Sequence, residues 1–300
     1  MHDIIVVGAG TAGMTAALYA LRNGKSVLLL EGECVGGQIA NSPRVENFPS
    51  VKAVSGSEFS DRLCEQIKAL GAELNMERVE QITKTAVGFT VKTDCGSHEA
   101  RAVIIATGAK HKKIGVEREE ELTGSGVSYC AVCDGPFYTG DDVALVGDAN
   151  TALQYGILLS GYCNKIYVCT WMDKFFGDKA LVDTLLQKQN VEWIKNVTLS
   201  AFEGEEELDA CVFDEQDTGK KRSIPVKACF IAIGQEPDNA PFRNVVDLDG
   251  NGYIIADEDC TTNTAGVFVA GDCRTKKVRQ LTTAAADGAS AAMAACKYLG

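Results

Sequence analysis

Ile4-Ile5-Val6-Val7-Gly8-Ala9-Gly10-Thr11-Ala12-Gly13 is an apolar run of strand length entering a G-x-G-x-x-G turn. In such a turn Gly8 permits the tight reversal, Gly10 lets the backbone approach a pyrophosphate, and Gly13 lets a helix pack closely on the strand. The N-terminus of that helix, which includes Thr11 and Ala12, offers free N–H groups and a positive dipole end to phosphate. Glu31 ends the next apolar run, residues 27–30, where a carboxylate can accept from ribose hydroxyls. Strand, turn, helix and acid follow in order, so the beginning of the chain reads as a dinucleotide-binding βαβ unit.

The phrase occurs again, altered, as Val143-Ala144-Leu145-Val146-Gly147-Asp148-Ala149-Asn150-Thr151-Ala152. Ala149 replaces the middle glycine and an acid precedes it. Other apolar runs at 103–106, 166–169, 230–233 and 267–270 alternate with several helical patterns, the mark of parallel sheets made from βαβ units. The repeated fingerprint predicts an α/β protein of two Rossmann-like three-layer nucleotide-binding domains. Ile104-Ile105-Ala106-Thr107-Gly108 and Ile231-Ala232-Ile233-Gly234 echo each other and mark two crossings between the domains. The segment after the second crossing is too short to fold alone, so it returns to complete the first domain. The expected partition is 1–114 with 240–300 as one domain and 115–239 inserted in it.

Three hundred residues, 46% hydrophobic and 23% charged, suit two soluble domains with ample cores. A formal charge of −12 argues against a nucleic-acid partner and an anionic membrane surface, both of which select Lys and Arg. Met1-His2-Asp3 leads directly into the first strand without a secretory signal, and no apolar run reaches membrane-helix length. The twelve cysteines are scattered, with a single C-x-x-C at Cys130-Ala131-Val132-Cys133. That usage suits a reducing cytoplasm, with one working pair among packing thiols.

A C-x-x-C is either a redox pair or half a zinc site. Zinc needs a second pair at similar spacing, and none occurs; the three histidines stand alone at 2, 98 and 111. The redox reading is preferred and no metal is expected. Asp134, directly after Cys133, could serve as acid and base for thiol–disulfide exchange, or be a solvated turn residue before Gly135-Pro136. Near the other end, Gly266-Val267-Phe268-Val269-Ala270-Gly271-Asp272 is a strand ending in Gly-Asp, followed by Arg279-Gln280 and a small-residue helix from about 281 to 298. Gly271 allows a close approach and Asp272 can bind a polyol hydroxyl; the alternative is a turn and a packing helix.

Taken together these stretches resemble the low-molecular-weight thioredoxin reductases over essentially the whole chain. The resemblance rests on the first fingerprint, Gly36-Gly37-Gln38, Val45-Glu46-Asn47-Phe48-Pro49, Ala106-Thr107-Gly108, Cys130 to Asp134, Gly271-Asp272 and Arg279-Gln280. It implies an FAD domain built from both chain ends, with Gly37, Gln38, Asn47, Thr107, Gly108, Gly271, Asp272, Arg279 and Gln280 joining the first turn at the cofactor. It also implies a homodimer and a central domain that rotates, with Cys133 facing the flavin, Cys130 attacking the disulfide of thioredoxin, and Asp134 supplying the proton.

One region departs from that pattern. Members that use NADPH carry a glycine-rich turn where this chain has Gly147-Asp148-Ala149, and a His-Arg-Arg type cluster where it has Thr170-Trp171-Met172. Trp171 and Met172 cannot make charged bonds to a 2′-phosphate. Two lost charge-assisted hydrogen bonds cost roughly 1.5–3 kcal/mol each, and about 4 kcal/mol in total weakens binding about a thousandfold. NADH needs no such clamp, and Lys174 or Lys179 could supply charge, so an NAD(P)H-dependent enzyme with atypical contacts stays open. A flavin-binding redox scaffold or sensor is the alternative of another class.

The departure also resembles the ferredoxin-dependent flavin thioredoxin reductase branch, which lacks the nicotinamide motifs. Flavin can collect single electrons and pass on a pair. A plant-type ferredoxin near about −400 mV lies below thioredoxin at about −270 mV, a gap of about 6 kcal/mol per disulfide. Flavodoxin would serve the same chemistry. Because the chain is acidic, an acidic donor needs a local basic patch. The candidates are Arg274, Lys276, Lys277 and Arg279, or Lys110, Lys112 and Lys113.

Overall fold

Strand β1 (His2–Val7) shows why its sequence is continuously apolar. Ile4 and Val6 enter one buried cluster while Ile5 and Val7 enter another on the opposite sheet face. Both faces are covered by protein, so the period of two carries no polar side. The computed structural model describes residues 1–42 and 45–300.

From β1 the chain runs through α1 (Thr11–Arg22), β2 (Val27–Glu31), α2 (Gly56–Ala69), β3 (Glu73–Met76), β4 (Val79–Lys84), β5 (Phe89–Thr93) and β6 (Ser97–Ile105). The short strand β7 (Lys110–His111) precedes β8 (Val127–Ser128), α3 (Ala131–Asp134), β9 (Asp142–Val146), α4 (Asn150–Leu159) and β10 (Lys165–Cys169). Next come α5 (Lys179–Leu186), β11 (Val191–Ile194), β12 (Val197–Glu203), β13 (Ala210–Glu215), β14 (Lys221–Pro225), β15 (Ala228–Ile231) and β16 (Gln235–Glu236). Strand β17 (Val267–Val269) and helix α6 (Leu281–Leu299) complete the described elements.

Two compact units result. One is Met1–Lys110 with Glu236–Gly300, and the other is His111–Gln235, inserted in it. The first unit has one sheet in the order β3-β2-β1-β6-β5-β4, with β17 also on β6. Strand β6 is longer than its apolar run because its first half forms an antiparallel pair with β5, Phe89 opposite Ala100. Its second half pairs in parallel with β17, Val103 opposite Val267. The returning C-terminal segment is therefore part of the sheet that carries the first fingerprint.

Helix α6 seals one face of that sheet against α1. A Cβ at Gly288 would lie 2.2 Å from the Ala12 carbonyl oxygen, so only glycine allows this approach. The inserted unit has a parallel sheet, β11-β10-β9-β15-β8, and a separate antiparallel one, β12-β13-β14. Cores lie on both faces of the parallel sheet: Val143 and Leu145 face one, Ala144 the other. The α/β class, the duplicated Rossmann-like plan and the insertion all hold. No helix among the described residues is long and apolar enough to cross a membrane.

Candidate functional site

Three turns converge at the C-terminal end of β1. Gly8 has φ +105°, and a Cβ there would stand 2.4 Å from the Ala106 carbonyl oxygen. Gly13 is tighter still, with a Cβ position 1.9 Å from the Gly8 carbonyl oxygen. Gly36 donates its N–H to Ala9 at 2.8 Å, and Gly37 packs its backbone against Gly10. The positions of Gly8, Gly13 and Gly36 are closed to any larger residue, which is what brings a bare backbone surface to the start of α1.

Glu31 arrives as expected at the end of β2, but its carboxylate is already engaged. Oε2 accepts from the Ala9 N–H at 2.7 Å and Oε1 from the Glu33 N–H at 2.8 Å. It therefore shapes the turn that leads into α1. Asn47 donates to Gln280 Oε1 at 3.1 Å, and Gln280 caps α6 in a reciprocal capping box with Thr283. Gln38 lies exposed in the short helical turn Gly37–Asn41. Thr107 donates to the buried Asn239 Oδ1 at 3.2 Å, and Gly108 has φ +70° with open space at its Cβ.

Gly271-Asp272 is held from behind. Asp287 Oδ2 accepts the Gly271 N–H at 3.0 Å, and Arg274 binds both Asp287 oxygens at 2.8 and 2.9 Å. Lys276 adds a bond of 2.8 Å to the same carboxylate. Burial opposes the charge of Asp287, but the two cations hold its carboxyl below the usual range. Asp272 differs: burial pushes it up to about 6, and its Oδ1 has no hydrogen-bond partner. Thr11 Oγ1 is the other such buried oxygen among the described residues. Leaving a buried polar atom unpaired costs about 1–3 kcal/mol, so both atoms fit a ligand that supplies hydroxyl or phosphate partners. The glycine cradle and these two oxygens together fit a dinucleotide such as FAD.

In the inserted unit Cys130 and Cys133 form a disulfide across α3. Cys130 is the helix N-cap, and its Sγ accepts the Cys133 N–H at 3.2 Å. Asp134 is half-buried and engaged by a neighbouring side chain, so it is not a freely solvated turn residue. Burial raises its carboxyl, and a hydrogen bond from Ser128 Oγ to Oδ2, 2.6 Å long, opposes the rise. Among the described residues no group of three or more His, Cys, Asp or Glu is placed to hold a metal.

The second fingerprint has a different surrounding. Phe176 N–H donates to the Asp148 carbonyl at 2.7 Å, and Asp178 and Asn150 exchange two hydrogen bonds at the first turn of α4. A Cβ at Gly177 would lie 3.1 Å from the Asn150 nitrogen. Residues 176–178 thus lie over the helix start where a pyrophosphate would bind. Trp171 is 69% exposed and Met172 42%, so both side chains reach solvent.

The two proposed basic patches need correction. Arg274 and Lys276 are buried with Asp287, so they present no surface charge. Arg279 lies over the Tyr253 ring and bonds the Asp272 and Arg274 carbonyls. Lys110 is paired with Glu33 and Lys113 with Glu120. Lys277 and Lys112 remain exposed. Folding satisfies most of these cations internally because each faces an acid that is distant in sequence or on the next turn.

Residues 2–288 match the family model described as pyridine nucleotide-disulphide oxidoreductase. The chain belongs to that family. As a pyridine nucleotide-disulphide oxidoreductase of this kind, it is an FAD-binding flavoprotein. The chain is 37% identical over 299 residues to the "34.2 kDa protein in rubredoxin operon" of Clostridium pasteurianum, covering 99% of this chain and 97% of that one. It is equally 37% identical over 300 residues to a thioredoxin reductase of Listeria monocytogenes, covering 100% and 94%. The crystal structure of thioredoxin reductase from Streptococcus pyogenes superposes with a TM-score of 0.96 at 35% identity, covering 100% and 98%. Within this family member, sequence reasoning missed Ser128, Asn239 and Asp287. None lies in a glycine motif, and their roles depend on contacts between segments far apart or on a turn folding back.

Proposed function

We propose that the protein is a flavin-dependent disulfide reductase that reduces thioredoxin with electrons from ferredoxin, without NADPH. The domains follow this reading: 1–114 and 240–300 hold FAD, and 115–239 carries the dithiol. Gly8, Gly10, Thr11, Ala12, Gly13 and Glu31 hold the cofactor with Gly37, Gln38, Asn47, Thr107, Gly108, Gly271, Asp272, Arg279 and Gln280. FAD, when bound, supplies the electron pair that converts the Cys130–Cys133 disulfide to the dithiol.

The protein's own residues do the rest. The Cys130 thiolate attacks the thioredoxin disulfide; one S–S bond forms as one breaks, and the departing thiolate takes a proton from Asp134. Cys133 then attacks Cys130, reforming the internal disulfide and releasing the second thioredoxin thiol. Asp134, with its carboxyl raised by burial, suits proton exchange with thiols. The same reading makes the enzyme a cytoplasmic homodimer, with flavodoxin as an equivalent one-electron donor.

The observation that carries the donor assignment is the cover over α4. A nicotinamide dinucleotide would have to displace residues 176–178 and bring its phosphates beside the Asp178 carboxylate. Trp171 and Met172 then offer no charge in exchange. Calorimetric titration of the oxidised holoenzyme with NADPH and NADH tests this directly. We expect no binding tighter than roughly millimolar, the range left after a thousandfold loss from a micromolar site. Micromolar binding of either nucleotide would overturn the donor assignment.

A further inference from the structure

Ser128 ends the edge strand β8, two residues before the dithiol, and is itself buried. Its hydroxyl oxygen accepts the Cys130 N–H at 3.1 Å. The hydroxyl proton in turn is donated to Asp134 Oδ2, 2.6 Å away. This order of donors has a chemical consequence. Oδ2 is held as an acceptor, so the proton that Asp134 takes and gives resides on Oδ1.

We propose that Ser128 is a positioning residue for thiol–disulfide exchange: it ties the Cys130 backbone to the Asp134 carboxyl and fixes which oxygen carries the proton. The inference rests on the assignment of Asp134 as the acid given above. Other titratable groups face this carboxyl from every packed element. Cys130 and Cys133 belong to its own turn, Tyr138 follows on the next one, and Tyr155 lies on α4. Burial raises both phenols, with the Asp134 charge adding to each, so neither competes as an anion near neutral pH. Ser128 is left as the group that favours the carboxylate against burial.

Ser128→Ala, Ser128→Thr and Asp134→Asn holoenzymes, reduced beforehand with dithiothreitol, would be followed in single-turnover reduction of oxidised thioredoxin across about pH 5 to 9. Loss of the hydroxyl removes the bond that favours the charged form, so the midpoint belonging to Asp134 should move to higher pH. We expect Ser128→Ala to keep its flavin, shift that midpoint up by about half a unit to one unit and, because the proton-donating form then persists to higher pH, raise the rate on the alkaline limb about three- to tenfold. Ser128→Thr, which restores the hydroxyl, should return both quantities toward the parent values. In an Asp134→Asn background, adding Ser128→Ala should change the rate less than twofold.

The two assignments fail separately. A pH profile that Asp134→Asn leaves unaltered would overturn the acid itself. An Asp134→Asn enzyme that loses the midpoint, beside a Ser128→Ala enzyme that keeps it in place, would overturn the role of Ser128 alone. Uniform slowing of Ser128→Ala at every pH would mean a purely structural part, and would likewise overturn it.

Discussion

Asp272 is the residue whose environment is least satisfied without a ligand. Its carboxyl is pushed up to about 6 by burial from an ordinary 3.8. Between those values the folded protein binds more protons than the unfolded chain, so this group's contribution to stability falls as pH rises from about 4 to about 6. Flavin-free Asp272→Asn should lose that slope, a difference of roughly 3 kcal/mol at full extent, measured as Tm against pH. His111 works in the opposite sense: burial lowers it to about 4, so stability it contributes near neutrality is lost as pH falls below about 6.5. At the dithiol, Cys133→Ser should abolish thioredoxin reduction while the protein remains yellow. Turnover retained by that variant would contradict the assigned thiol pair.

At the scale of elements, the contact between α1 and α6 governs the cradle. Gly288→Ala would place a methyl group 2.2 Å from the Ala12 carbonyl and 3.0 Å from the Ala16 nitrogen, both backbone atoms. Displacing α1 should cost about 1–3 kcal/mol and lower flavin retention, read by Tm and by absorbance per protein. Gly96→Ala meets nothing within 4 Å and serves as the contrast. It should leave Tm within a few degrees of the parent, about what a change of ±0.5 kcal/mol produces.

The same elements explain what sequence could reveal. Strand β1 and the turn from Gly8 to Gly13 were legible because backbone geometry alone dictates their residues. Helix α6 was legible from its small residues, while the Gln280–Thr283 capping box emerges only in the folded chain. The antiparallel strands β12, β13 and β14 were not, since their mixed polar pattern carries no glycine signature and their partners are chosen by packing. The buried Arg274–Asp287–Lys276 cluster was misread as surface charge, because a run of cations gives no sign of the carboxylate that folding brings to it.

For the whole molecule, one unit carries a cradle fitted to FAD, and the other carries a dithiol and a second fingerprint covered by residues 176–178. The formal charge of −12 sets a further expectation for an acidic donor. With most basic side chains at the proposed patches paired internally, general attraction is absent. Raising salt from about 20 to 200 mM should therefore reduce the rate of ferredoxin-driven turnover by less than about tenfold, unlike a strongly steered pair. A much steeper fall would reveal a basic surface that these ion pairs conceal.

The most direct measurement is an anaerobic absorbance titration of the yellow protein with NADPH, NADH and reduced ferredoxin in separate cells. Bleaching of the flavin by ferredoxin alone, followed by recovery when oxidised thioredoxin is added, is the expected result. Rapid bleaching by either pyridine nucleotide would contradict the account.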